Sequence, residues 1–485
     1  MKPNILWICA DQLRYDTLSV NGDPIVKTPN IERLSAMGAN FEKCYCQNPV
    51  CAPSRASFLT GRYPRTVRVR QNGQDIPDYE RTVIKALADN GYLCGLSGKL
   101  HISACHPSVC PVSERRIDDG YHVFNWAHDS TFNYAPNNWL VSEYIDWLRA
   151  QGVHHEEIPR DDCPYVSKGI AKEYSQTKWC TDKALDFIER ASMKNKPWAF
   201  SINYFDPHND FDPPEDILQK YIDILDDIPL PSYTLGELDN KPIFQRKDHT
   251  GSYDTPGHYA STGMAPYHHK LIRAAYYAMI ELIDIHIGRL LDYLETTSQL
   301  TNTIIMFHSD HGEMLGDHGI YLKGPYFYDA AVRVPLIIAW PGHIPAGQHI
   351  TDIVELVDLA PTLVEACGLA PEEGMQGHSL YKRLAQGTPF PRKSAYCEYY
   401  NSNIKHRDPK AYLTMVYDGR YKLVRNHTPE DPIGGELYDM IKDPNETANL
   451  YNNEKYATTK IQMLELLADR MAFTADPLPV RKANW

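Results

Sequence analysis

Short apolar runs alternate along the chain with segments whose apolar residues recur every three or four positions, and this alternation predicts an α/β sheet with helices on both faces. Ile5 to Ala10, Ala199 to Phe205, Thr303 to Phe307 and Val334 to Trp340 read as buried strands. Pro29 to Met37, Thr82 to Asn90 and Leu356 to Cys367 carry helical spacing. The longest helical pattern runs from about His268 to Leu294, with Leu271, Ala274, Ala278, Leu282 and Ile285 as its predicted core face. His268, His269 and His286 on this helix are expected to be satisfied or solvated and not to act as ligands.

Residues 102 to 165 and 206 to 262 are rich in Pro, Asp, Tyr, Asn and His and show weak periodicity, which predicts long loops roofing a site. Beyond the proline-rich stretch around Pro389 to Lys393 the pattern changes. Tyr412 to Val424 alternates around the turn pair Asp418-Gly419, Glu436-Leu437-Tyr438-Asp439 follows, and a terminal helix is predicted near Lys460 to Phe473. The expected organisation is a catalytic domain over residues 1–388 and a smaller C-terminal α+β subdomain over 389–485, an antiparallel sheet plus a helix.

With 485 residues, 43% of them hydrophobic, the chain can bury a large core. Its 49 Lys and Arg against 62 Asp and Glu give a net charge of −13 with no long block of one sign, which argues against a platform for nucleic acid or anionic membrane. An anionic substrate would therefore be held by a few local cations. No apolar stretch approaches the roughly 18 residues of a membrane span. The run Ile5 to Ala10 is too short for the core of a signal peptide, and the 11 cysteines, an odd number set mostly in apolar segments, predict reduced thiols. A cytoplasmic location is expected on that basis, or a periplasmic or secreted one if an export signal has been removed.

Chemistry concentrates at the ends of the predicted strands, where ligands gather in open α/β sheets. Asp11-Gln12 follows the first strand and Asp310-His311-Gly312-Glu313 follows another. Two carboxylates, an amide oxygen and an imidazole suffice to hold one divalent cation. Between them lies Cys51-Ala52-Pro53-Ser54-Arg55, continued by Ala56 to Leu59 and Thr60-Gly61-Arg62. Pro53 suits the first turn of a helix, so Cys51 is predicted beside a positive helix end, which favours an attacking oxyanion or a transferred anion.

The run from Cys51 to Arg62 resembles the maturation signature of type I sulfatases, C-x-P-S-R followed by x-x-x-L-T-G-R. The resemblance covers nearly the whole chain, through Thr28-Pro29-Asn30-Ile31, Gly98-Lys99-Leu100-His101, Pro207-His208, Ser309-Asp310-His311-Gly312 and Asp358-Leu359-Ala360-Pro361-Thr362. The order of these motifs is that of the sulfatase branch of the alkaline phosphatase superfamily, which implies an alkaline-phosphatase-like mixed sheet sandwiched by helices. It further implies that a formylglycine-generating maturation enzyme oxidises Cys51 to an aldehyde that hydrates to a geminal diol. Asp11, Gln12, Asp310, His311 and the modified Cys51 would bind calcium or a similar hard cation. Many sulfatases carry Asp where this chain has Gln12 and Asn where it has His311, so the cluster is one carboxylate short and manganese or magnesium enter as alternatives.

By the same resemblance, Arg55 orients the diol, Lys99 and Lys323 neutralise the sulfate oxygens, His208 protonates the leaving alcohol, and His101 takes the proton from the second hydroxyl. His308, Glu313, Asp317, His318 and Arg333 are expected to be structural partners. The implied activity is hydrolysis of sulfate monoesters, on sulfated carbohydrates or aryl sulfates, with choline sulfate also open. Trp126, Asn137 and Trp139 are candidate sugar-contacting residues of the roof. Phosphonate monoester and phosphodiester hydrolases share the Asp-Gln pair, the Asp-His pair and the C-x-P-x-R nucleophile. They typically present Tyr and Thr where this chain has Lys99 and His101, and sulfate is favoured for that reason. A sulfatase-like binding protein without turnover would lack a reacting residue, and each expected one is present.

Overall fold

The computed structural model describes residues 2–131, 139–403 and 408–483. Its main sheet takes strands β1 (Asn4–Ala10), β2 (Ala39–Tyr45), β3 (Leu93–Gly98) and β4 (Val123–Trp126) from the first part of the chain. After the short hairpin β5 (Pro159–Arg160) and β6 (Cys163–Ser167) come its other four strands, β7 (Trp198–Tyr204), β8 (Thr303–Ser309), β9 (Leu336–Ala339) and β10 (Gln348–Glu355). The spatial order is β10-β2-β9-β8-β1-β7-β3-β4. Strands β8, β1, β7, β3 and β4 are mutually parallel, and β9 runs against both its neighbours. The sheet is therefore mixed, as the family resemblance implied.

Every residue of β1 and β7 is buried, because helices cover both faces, and this is why these strands read as apolar runs. Leu6, Ile8 and Ala10 point into a core shared with the long helix Pro266–Thr296 and the helix Gln176–Ser192. Ile5, Trp7 and Cys9 point the other way, into a core shared with the helices Cys51–Thr60 and Leu359–Ala366. Alternate residues of each strand thus anchor one helical layer each.

A second, antiparallel sheet of β11 (Ala395–Tyr400), β12 (Tyr412–Tyr417), β13 (Tyr421–Asn426) and β14 (Gly435–Asp439) lies on the Cys51 side. Cys397, Met415 and Val424 join the main core, while Tyr396, Val416, Leu423 and Leu437 pack on Met463 and Leu467 of the terminal helix Ala457–Phe473. Among the described residues no helix is long and apolar enough to cross a membrane.

Several sequence expectations need correction. Ile285 is 40% exposed. From Ile285 the stripe continues through Arg289 and Asp292 toward solvent, and burial passes to Ile283, Ile287, Leu290 and Leu294. The segments expected to be long loops are partly regular. They contain β4, the helix Glu143–Ala150, the β5–β6 hairpin and the helices Glu215–Ile222 and Ile243–Thr250. The strands β2, β3, β4, β10 and β11 had not been expected.

Candidate active site

Four adjacent parallel strands, β8-β1-β7-β3, deliver the site residues from their carboxyl ends. Ala10 pairs with Ser309, so Asp11-Gln12 and Asp310-His311 leave the sheet side by side. The Ser309 hydroxyl ties the two turns together: it lies 2.9 Å from the Ala10 carbonyl and 2.8 Å from that of His311, and accepts from the Leu13 amide at 2.8 Å. β7 leads to His208 and β3 to Lys99 and His101. Gly98 makes the last turn with φ +96°, and a Cβ there would lie 1.9 Å from the Asn203 carbonyl oxygen of β7, so only glycine fits. Gln12 (φ 67°) and His101 (φ 53°) also adopt left-handed backbone, a strained state of the kind that clusters at functional sites.

Cys51 is the first residue of the helix Cys51–Thr60, all ten residues of which are buried. Under the maturation that the sequence resemblance implies, its Sγ would stand in for an oxygen of the diol. It lies 3.1 Å from Nε2 of His311, 3.3 Å from Nζ of Lys323, 3.7 Å from Oδ1 of Asp11 and 3.8 Å from Nζ of Lys99. His101 and His208 line the same cavity beside it. Burial by itself pushes the thiol up, but Lys323, Lys99 and His311 override this and hold it well below the usual range.

The proposed metal ligands converge. Asp11, Cys51, Asp310 and His311 offer ligand atoms within 4.8 Å of one another, and all four are buried. Nδ1 of His311 lies 3.0 Å from the Gly312 carbonyl, which requires a proton there and turns Nε2 toward the cluster. Gln12 is fixed in the same way: its amide nitrogen donates to the Glu313 carboxylate, so Oε1 turns inward and accepts from Lys323 at 2.5 Å. The donor set of two carboxylates, an amide oxygen and an imidazole fits a divalent cation with oxygen preference.

Arg55 sits among the carboxylates of the cluster. Its guanidinium, 1% exposed, donates to Asp310 at 2.8 Å, lies 3.3 Å from Asp11 and reaches the Lys99 carbonyl at 2.9 Å. These partners make it the brace of the two carboxylates. Lys99 donates to Asp11 at 2.6 Å; burial pulls its ammonium down, and Asp11 and Cys51 together more than offset this, so it stays charged. Burial and then Lys323 push His208 below its ordinary range, and burial pushes His101 down to about 4.

A cavity of about 460 Å³ opens above this floor. Cys51, Lys99, His101, His208 and Lys323 line it, with Asn72, His128, Phe205, Tyr253 and His258 and the acids Asp129, Glu157 and Asp210 as further wall residues. The sequence reading missed these wall residues. His128 could have been found, since it follows the end of β4 as Asp11 follows β1, but β4 itself was not anticipated. Trp126 and Trp139 are not walls: they are 2% and 4% exposed and pack on each other, with Trp139 behind His128. Asn137 lies outside the described residues.

The residues expected to be structural have protein partners. His308 accepts from the Trp7 indole at 2.7 Å, Asp317 pairs with Arg14 at 2.7 Å, His318 with Glu237 at 2.7 Å, and Arg333 donates to the Glu42 carbonyl at 2.7 Å. His269 meets the Tyr321 hydroxyl at 2.6 Å and His286 accepts from Arg289 at 3.1 Å.

Comparison with known proteins agrees with this geometry. The chain is 29% identical to the arylsulfatase of Clostridium perfringens over 94% of this chain and 92% of that protein. It is 27% identical to the N-acetylglucosamine-6-O-sulfatase of Bacteroides thetaiotaomicron, over 99% and 88%. Among solved structures, the phosphonate monoester hydrolase of Agrobacterium radiobacter superposes with a TM-score of 0.82 at 25% identity, covering 99% of this chain and 97% of that one. The C-terminal family model of N-sulphoglucosamine sulphohydrolase matches residues 316–472. The sulfatase family model matches residues 3–369, and the chain belongs to the sulfatase family.

Proposed function

We propose that this sulfuric ester hydrolase cleaves monosulfate esters of carbohydrates or aryl alcohols, with residue 51 matured to formylglycine as nucleophile. The observation that carries this reading is the convergence on the Cys51 Sγ of Lys323 at 3.3 Å, Lys99 at 3.8 Å and His311 at 3.1 Å inside a buried acidic cluster. The similarity to an arylsulfatase and an N-acetylglucosamine-6-O-sulfatase supports the substrate class.

Calcium, or manganese or magnesium in its place, would be held by Asp11, Gln12, Asp310, His311 and residue 51. Such a cation supplies Lewis-acid polarisation of the sulfate and favours the ionised form of the attacking oxygen. Arg55 keeps Asp11 and Asp310 in place. Lys99 and Lys323 take the remaining sulfate oxygens as charge shifts in the transition state. His208 gives its proton to the departing alcohol, and His101, neutral at physiological pH, accepts the proton whose loss frees sulfate.

The phosphonate reading keeps its interest because a phosphonate monoester hydrolase shares the fold so closely. Turnover of matured protein on monosulfated and disulfated saccharides, an aryl sulfate and an aryl phosphonate monoester separates the two. The expected order places the sulfates above the phosphonate. A phosphonate turned over faster than every sulfate would overturn this reading.

A further inference from the structure

The side chain of Glu114 enters the protein beneath His101 and is 2% exposed. Its carboxylate accepts three consecutive backbone amides, from His101 at 2.8 Å, Ile102 at 2.6 Å and Ser103 at 3.0 Å, and the Trp126 indole N–H at 3.2 Å. Asp75 takes the next amide, of Ala104, at 3.0 Å. Four successive N–H groups are therefore held by carboxylates that come from elsewhere in the chain, outside any regular element. This matters because His101 sits in left-handed backbone at φ 53°, a conformation that a non-glycine residue keeps only when its surroundings impose it. The ring has no other anchor of comparable strength. Its Nδ1 is buried and makes no hydrogen bond among the described residues, and its edge rests on His128 with ring centroids 4.8 Å apart.

We infer that Glu114 is a positioning residue: by gripping the amides of residues 101–103 it fixes the strained turn that aims the His101 imidazole at residue 51. The inference rests on the proposed role of His101 as the base for the step that follows departure of the alcohol. A carboxylate is suited to the task because it accepts at both oxygens. Glutamine at the same place would turn one N–H donor toward a backbone N–H and release one side of the turn. Misplacement of a reacting group by about 1 Å can cost roughly 100-fold in rate.

The test compares Glu114→Gln, Glu114→Asp and His101→Ala as matured, metal-loaded enzymes with an activated aryl sulfate, followed from the first turnover. For Glu114→Gln the phenol burst should keep an amplitude near one equivalent per matured site, while steady-state turnover falls roughly tenfold or more without a rise in KM. A purely structural role would instead reduce the number of competent sites, so burst amplitude and steady state would fall together, and that result overturns the inference. Glu114→Asp carries the same readings if Glu114→Gln does not fold. His101→Ala serves as the reference: a burst there, beside wild-type kinetics in both Glu114 variants, overturns the positioning role alone. Proportional loss with no burst in His101→Ala overturns the role of His101 and with it this inference.

Discussion

Lys323 donates from Nζ to Nε2 of His208 at 2.7 Å, and Nδ1 of the same ring faces the Asn209 carbonyl. His208 is therefore neutral, with its lone pair toward the cavity, and it must gain a proton before it can act as an acid. Burial and Lys323 both lower its pKa, so the protonated fraction drops tenfold for each pH unit above that lowered value.

Turnover of sugar sulfates should accordingly decline as pH rises through neutrality, while an activated aryl sulfate, whose leaving group needs no acid, stays level over the same range. His208→Ala should cost roughly 10² to 10⁴ in kcat/KM for sugar sulfates and far less for the aryl ester. Equal losses on both substrates would remove His208 from the acid role.

Chelation should abolish activity reversibly, with calcium or manganese restoring it. Asp11→Asn and Asp310→Asn each remove a charged donor from a cluster that has Gln12 in place of a further carboxylate. Metal affinity, read by calorimetry, should fall at least roughly tenfold, the low end of what loss of an outer-shell partner already costs. Unchanged affinity in both variants would place the metal elsewhere.

His286 supplies a stability prediction away from the site. It is 5% exposed and accepts from Arg289, and burial and then Arg289 lower its pKa to about 3. The unfolded chain binds the proton near pH 6.5, so the folded state loses stability as pH falls from there toward 3, by a few kcal/mol at most. His286→Gln, which can still accept from Arg289 without titrating, should flatten the acid limb of urea midpoints measured against pH. An unchanged acid limb would exclude this histidine as its source.

The functional positions were legible because they lie in short motifs at the ends of strands whose apolar runs were plain: Asp11 after β1, Asp310 after β8, His208 after β7. Lys99 was found by its motif while its strand was not. β3 reads Leu93-Cys94-Gly95-Leu96-Ser97-Gly98, and its glycines hide it. A Cβ at Gly95 would meet Phe200 at 2.7 Å and Phe187 at 2.9 Å, so large aromatic neighbours fill the space that the strand leaves empty. β2 was masked by Glu42 and Lys43, which reach the surface from a strand otherwise buried. The cavity walls were out of reach for a different reason. Tyr253, Asp210 and His128 come from segments far apart in sequence, and no local pattern marks their meeting.

The central claim is that residue 51 acts only after oxidation of its side chain. The direct measurement prepares the protein with and without a co-expressed formylglycine-generating enzyme, determines by mass spectrometry the fraction of the Cys51 peptide carrying the aldehyde, and plots aryl sulfate turnover against it. The account predicts a line through the origin, with Cys51→Ala folded and inactive. Wild-type turnover from protein that carries only the unmodified thiol, or from Cys51→Ala, would contradict it.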